Sequence, residues 1–205
     1  MPTSSRAGSP RRPRGGKPPA RYHHGDLRSA LLAAGRAMLA ETGPSALSLR
    51  ELARRLGVSH NAPYKHFATR EALLAALAAE GFKALGTRSR EATGGSGDPE
   101  AMGLAYIGFA LDEPAVYRLM FSDAIDKAAF PDLQAASRAS FDGLRGAMER
   151  AVGPERAAAA AVSAWALVHG LSLLLLDDQI PAALSAGRSK VEVARLVLRA
   201  FGRKP

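Results

Sequence analysis

The chain contains no cysteine among its 205 residues, which excludes disulfides and thiolate zinc sites and is compatible with a reducing compartment. β-Branched residues are scarce: Val, Ile and Thr together number 16, against a background dominated by Ala and Leu. Such residues carry most strand propensity, so the composition points to an all-α fold. Gly-rich phosphate loops, GxSxG and HExxH are all missing, and no catalytic constellation takes their place. The chain is therefore not expected to be an enzyme or to need a cofactor. No apolar stretch follows Met1, so no secretory signal is expected and the anticipated location is cytoplasmic.

Acid is also missing from one end. Residues 1–21 hold six basic side chains and no Asp or Glu, within a net charge of +9. Residues 22–97 hold ten basic and six acidic side chains, and residues 98–205 hold twelve and thirteen. The basic character thus sits in the first half, as in a protein that binds phosphate at one end and something else at the other. Residues 1–20 are rich in Pro, Gly, Ser and Arg. They cannot bury enough surface to offset ordering entropy and read as a disordered basic tail.

One long uncharged run is present. Ala157–Leu176 spans 20 residues without Asp, Glu, Lys or Arg, long enough to cross a membrane. Its first half is mostly Ala, and Ser163, His169, Gly170 and Ser172 interrupt the rest. A core or interface helix is the expectation, with no membrane partner.

The most informative segment is Ser48–Phe67, SLRELARRLGVSHNAPYKHF. Leu49, Leu52 and Leu56 recur at helical spacing, leaving Arg50, Arg54 and Arg55 on the opposite face. Ser48 and Glu51 have the spacing of a capping box. Gly57 follows the last apolar position, where a left-handed residue ends a helix, and Val58 offers an apolar plug. A second short helix then ends in Tyr64-Lys65-His66-Phe67. Pro63 lacks the N–H that would bond back to the Ser59 carbonyl, so this helix is expected to start near His60 or Asn61. That leaves Ser59, His60 and Asn61 at the entrance, the end that points into a major groove. Asn61 suits an adenine edge, Lys65 a guanine or a phosphate, and Tyr64 a phosphate. The pattern is a helix-turn-helix and implies double-stranded DNA as partner.

Before it, Asp26 can cap a helix running to about Glu41, with Leu27, Ala30, Leu31, Ala34, Met38 and Leu39 inward and Thr42-Gly43-Pro44 as the stop. After it, Thr69 can cap a helix from Arg70 to about Arg90. The run Thr93–Pro99 is the clearest boundary. It divides a DNA-binding domain, residues 21–92, from an all-α domain, residues 98–205. Helices are expected over 100–111, 115–121, 131–152, 155–176 and 190–201, giving about nine in all. Tyr22-His23-His24 lacks the further ligands a metal site needs, and Tyr22 is read as lying near phosphate. Asp177-Asp178 reads as a solvated helix terminus rather than an acid/base pair.

With these residues in hand, the chain resembles the TetR family of one-component bacterial repressors. The resemblance is strongest over residues 22–82, where spacing, turn, the Tyr-x-His-Phe ending and the following cap all agree. It implies phosphate contacts from Ser48, Tyr64, His66 and Arg70 and base reading from Ser59–Lys65. The full expected DNA-contacting set is Tyr22, Ser48, Arg50, Ser59, His60, Asn61, Ala62, Pro63, Tyr64, Lys65, His66, Thr69 and Arg70. The C-terminal half resembles a subgroup marked by a Trp…His-Gly element, here Trp165, His169 and Gly170. That implies a ligand-binding and dimerisation domain whose last two helices pair across a two-fold axis. Trp165 and His169 share a helix face and read first as a packed core pair. They also join Tyr106, Phe109, Tyr117, Met120 and Phe121 as candidates to line an effector pocket. The expected function is a homodimeric repressor on a palindromic operator, released by a small molecule. The alternatives are an architectural or constitutive DNA binder without effector and, more remotely, a helical enzyme.

Overall fold

A computed structural model of the chain describes residues 27–202, so the basic tail, Tyr22, His23, His24 and the Asp26 cap lie outside the described residues. Those described form nine α-helices and two 3-10 turns with no strand, the all-α architecture that the scarcity of β-branched residues anticipates. Helix α1 (Leu27–Ala46) runs to a kink at Gly43 (φ 75°) and continues for one turn from Pro44. The Thr42-Gly43-Pro44 stop therefore acts as a break followed by a restart. Helix α2 (Leu49–Leu56) and a 3-10 turn (Pro63–Lys65) make the helix-turn-helix. Helix α3 (Arg70–Thr93) leads to α4 (Pro99–Asp112) and α5 (Pro114–Met120). A second 3-10 turn (Lys127–Ala129) precedes α6 (Pro131–Val152) and α7 (Pro154–Leu176). A one-turn α8 (Ala182–Ser185), which the sequence pattern does not announce, precedes α9 (Lys190–Gly202).

Local signals explain most of the ends. Gly57 adopts φ 65°, ψ 27°. Its N–H bonds the Arg54 carbonyl at 3.3 Å while that of Val58 bonds the Ala53 carbonyl at 3.0 Å. This is a Schellman closure, and its left-handed residue favours glycine. Thr69 caps α3, its hydroxyl accepting the Ala72 N–H at 3.1 Å. The expected capping box at Ser48 does not form. Glu51 instead accepts from Arg54 at 2.7 and 2.8 Å and from Arg55 at 3.2 Å. Charge-assisted bonds to two guanidiniums outcompete one backbone N–H for that carboxylate.

The boundary at Thr93–Pro99 breaks the chain but not the packing. A single apolar core includes Leu31, Leu52 and Phe67 of the DNA-reading half together with Ile107, Tyr117 and Leu171 of the other. Helix α1 packs on both α3 and α5, and Arg36 reaches Glu113 at 3.4 Å. The helices come close at Gly81 of α3, where a Cβ would stand 2.6 Å from the Met120 sulfur and 2.7 Å from Val116 Cγ1. Glycine is required there because the two helices touch backbone to side chain.

Helix α7 is, among the described residues, the one long and apolar enough to cross a membrane, yet only 28% of its most apolar window is buried. Ala157, Ala161, Val168, Leu171 and Leu175 face the core, while Val162 (51% exposed) and Leu174 (46%) face outward.

Two glycines of α3 test this packing. Gly81→Ala is expected to lower stability by about 1–2 kcal/mol, because overpacking outweighs the gain in helix propensity. Gly86→Ala meets only the Arg90 guanidinium at 3.6 Å and is expected to raise stability by about 0.5–1 kcal/mol. Urea denaturation of both variants measures the opposite signs.

Candidate nucleic-acid interface and aromatic cluster

The recognition segment is tighter than an α-helix. The Ala62 N–H bonds the Ser59 carbonyl at 2.9 Å, and the N–H groups of His66 and Phe67 both bond the Pro63 carbonyl at 2.9 Å. Pro63 has no proton to offer Ser59, so the carbonyl takes the residue three along instead of four. The expected second α-helix is accordingly a run of turns ending in the 3-10 segment Pro63–Lys65. Its entrance is open: Ser59, His60 and Asn61 are exposed, as are Lys65 and Tyr64, while Ala62, His66 and Ser48 are half-buried. Pro63 is buried and packs inward, which removes it from the groups that can touch a base. Phe67 is buried in the core. Arg28, a residue the sequence pattern does not single out, places its guanidinium 5.4 Å from the Phe67 ring centroid.

Two residues of the expected set have structural partners. The Thr69 hydroxyl is engaged as the α3 cap. Arg70 donates from Nε to the Leu47 carbonyl at 3.0 Å and from Nη2 to the Pro44 carbonyl. It therefore fastens the α1–α2 turn to the start of α3. Arg50 stays exposed, whereas Arg54 and Arg55 pair with Glu51, and Arg55 also with Glu41 at 2.7 Å. The two guanidiniums hold the Glu51 carboxyl down at about 2, so this network stays charged at neutral pH.

In the second half, Tyr106 from α4, Tyr117 and Phe121 from the end of α5, and Trp165 and His169 from α7 come together. The Tyr117 hydroxyl lies 2.8 Å and the Tyr106 hydroxyl 3.0 Å from His169 Nδ1. Trp165 Nε1–H donates to the Tyr106 oxygen at 3.3 Å. Burial pushes both tyrosine pKa values up, with the neighbouring Tyr117 adding to the rise at Tyr106. Both hydroxyls therefore keep their protons. Burial also pushes the His169 pKa down from 6.5, so the ring is neutral at pH 7. A neutral ring carries one proton, so Nδ1 either accepts from a tyrosine hydroxyl or donates to one.

Around this network Phe121 acts as a hub, 4.6 Å from the His169 ring centroid, 5.2 Å from Tyr117 and 6.2 Å from Trp165. Trp165 is 37% exposed and His169 half-buried, so the expected packed core pair instead sits at a rim, each side chain hydrogen-bonded to Tyr106. Phe109 and Met120 are buried, and Met120 packs at Gly81. The seven candidates line neither of two shallow depressions of about 200 and 230 Å³, which lie against α8 and α9. Phe141, 6.2 Å from Trp165, and Lys127 belong to the cluster and were missed from sequence. Lys127 carried one weak signal, as the only lysine between Lys83 and Lys190 in an Arg-rich chain.

Residues 31–77 match the family model for bacterial regulatory proteins of the tetR family, and residues 100–201 match the tetracyclin repressor-like C-terminal domain. A solved protein of unknown function from Rhodococcus sp. RHA1 is 34% identical, with a TM-score of 0.75 over 89% of this chain and 97% of its own. A tetR-family regulatory protein from Rhodococcus RHA1 shares the fold at 21% identity and TM-score 0.62, over 85% of this chain and 94% of its own. A TetR variant from Acinetobacter baumannii AYE in complex with minocycline does so at 22% identity and TM-score 0.56, over 84% and 92%. No curated protein matches the chain in sequence.

Arg70→Ala is expected to lower stability by about 2 kcal/mol, as charged hydrogen bonds to two carbonyls are lost. It should weaken DNA binding without changing the slope of log affinity against log salt, whereas loss of a phosphate contact would reduce that slope by about 1. For His169, the folded pKa lies below the unfolded one. The unfolded chain therefore binds the proton first, and the stability present above pH 6.5 declines as pH falls below it. Melting temperatures between about pH 7.5 and about pH 5 should fall less steeply in His169→Gln than in the parent protein.

Proposed function

The chain belongs to the TetR family of bacterial regulatory proteins, and on that premise we propose that it is a homodimeric repressor, released from a partly palindromic operator by a small molecule. The observation that carries the DNA-reading part is the open entrance Ser59-His60-Asn61, set by the Gly57 turn before it and held by buried Pro63 after it. Asn61 reads an adenine edge and Lys65 a guanine or a phosphate, with Tyr64, Ser48, His66 and Arg50 on the backbone. Such a protein acts where the chromosome is, in the cytoplasm.

Dimerisation is supported by what α7 and α9 leave uncovered. Val162 and Leu174 on α7, and Val191 (45%), Leu196 (45%) and Phe201 (73%) on α9, are exposed. Gly170 faces open space, and Ala159 and Ala166 are exposed along the same outer side. A four-helix bundle formed with a second copy covers these residues and sets two recognition segments about 34 Å apart or a multiple of it. The effector part rests on the Tyr106–Tyr117–His169 network and the aromatic rings around it. A ligand there shifts the protein away from the operator-spaced form only by its differential affinity for the two forms. The closed packing of that cluster also suits a constitutive regulator, and ligand titration separates the two.

A binding titration on DNA upstream of the gene, against a shuffled duplex at two salt concentrations, is expected to give specific binding about a thousandfold tighter. Equal, steeply salt-dependent binding to both would argue for an architectural protein. Tyr64→Ala should weaken binding to both duplexes and lower the salt slope by about 1, whereas Asn61→Ala should relax preference at one base position. Val162→Arg should yield a monomer in sedimentation and lose operator affinity while keeping its helical spectrum. A dimer that persists in this variant would place the interface elsewhere.

A further inference from the structure

Lys127 serves neither the DNA-reading segment nor the outer face of α7. It opens the 3-10 turn after α5 and is half-buried. Its ammonium lies 5.4 Å from the Phe82 ring centroid and 5.5 Å from that of Phe121. Those two rings meet edge to face at 5.5 Å, so the cation rests over a corner made by α3 and the end of α5. Surface lysines ordinarily extend to water or to a carboxylate. This one is half-withdrawn from water: burial lowers its pKa, and no acidic partner among the described residues opposes that. The same Phe121 ring meets His169 and Trp165. One phenyl ring thus joins a partly desolvated, unpaired cation to an indole and an imidazole at the protein rim.

We propose that this cluster is a binding site for an aromatic carboxylate, its ring against Phe121 and Trp165 and its carboxylate paired with Lys127. The proposal rests on reading the C-terminal half as an effector domain, and it names the effector's chemical class. Charge sign follows from Lys127, the charged group over these rings; Asp126 caps the same turn, but its carboxylate accepts the Ala128 N–H at 3.0 Å. A cationic ligand would compete with the Lys127 ammonium for the same rings and meet its charge. A carboxylate supplies the missing partner, and a charge-assisted bond in a half-dry site is about twice as strong as a neutral one. The exposed part of Trp165 offers an aromatic body a ring to pack against.

The test is calorimetric titration of the full-length protein with phenylacetate and the larger indole-3-acetate. The isosteric phenylacetamide and phenethylammonium serve as neutral and cationic controls. Trp165 is the only tryptophan, so its fluorescence reports occupancy at the cluster for the phenyl series. Carboxylates are expected to bind at least about tenfold tighter than the amide, with phenethylammonium weakest, and to change Trp165 emission. Lys127→Gln should erase the preference for carboxylate over amide, and Lys127→Arg should keep it. Absence of carboxylate binding, equal binding of the amide, or an undiminished preference in Lys127→Gln would each overturn the proposal. Operator binding measured alongside keeps the two readings apart. Carboxylate binding that leaves DNA affinity unchanged supports the site and removes the release mechanism. Intact operator binding without carboxylate binding removes the site and leaves the regulator.

Discussion

At Gly81, α3 comes so close to α5 that a single methyl group would stand 2.6 Å from the Met120 sulfur. The DNA-reading segment depends on this contact because α1, α2 and the turn cannot enclose a core alone; chains that short bury too little surface. Leu73, Leu74 and Leu77 of α3 complete that core with α1, and Phe82 and Leu85 continue it among α4 and α5. The helix that orients the recognition segment is thus also a wall of the second domain. Densely packed interfaces of this kind shift between discrete arrangements rather than deform gradually. A displacement of α5 therefore has a direct physical route to the DNA-reading end, reinforced where α1 touches α5 and where Arg36 reaches Glu113.

How much of this was legible depended on whether a feature is local. Gly57 and Thr69 act through their own backbone geometry, and both do what their positions foretold. Pro63 is legible as an obstacle, because the missing N–H is covalent; the 3-10 turn Pro63–Lys65 that replaces an α-helix shows only in the folded chain. Ser48–Glu51 failed because the capping pattern says nothing about competitors, and Arg54 and Arg55 offered the carboxylate stronger partners. Arg70 shows the same limit in another form. Its charge suggested phosphate, but only the folded chain brings the carbonyls of Pro44 and Leu47 within its reach.

The aromatic cluster was half legible. Tyr106, Tyr117, Phe121, Trp165 and His169 could be named from residue type and helical spacing, yet the hydrogen bonds that relate them span up to 63 positions in sequence. No periodicity encodes such a partnership. Phe109 and Met120 were drawn into the same list by chemistry alone, and the structure assigns them to the core. Lys127 was invisible for the opposite reason. A lysine in a turn is ordinarily solvated, and only the placement of Phe82 and Phe121 makes this one unusual.

Helix α7 carries the remaining consequence. Ala157, Ala161, Val168, Leu171 and Leu175 form its inner stripe, and Val162, Ala166 and Leu174 belong to its exposed side. Trp165 and His169 fall between the two stripes by helical periodicity. They touch Tyr106, Tyr117 and Phe121 on one flank, and on the other they border the face assigned to a second copy. A molecule that reorients Trp165 or His169 must therefore act on the helix proposed to pair with a second copy as well as on α5. Linkage makes this reciprocal: if occupancy of the cluster alters the dimer's spacing, operator binding alters affinity for the occupant by the same factor. The apolar run that first suggested a membrane helix is, on this reading, uncharged because both of its faces and the seam between them are needed for protein contacts.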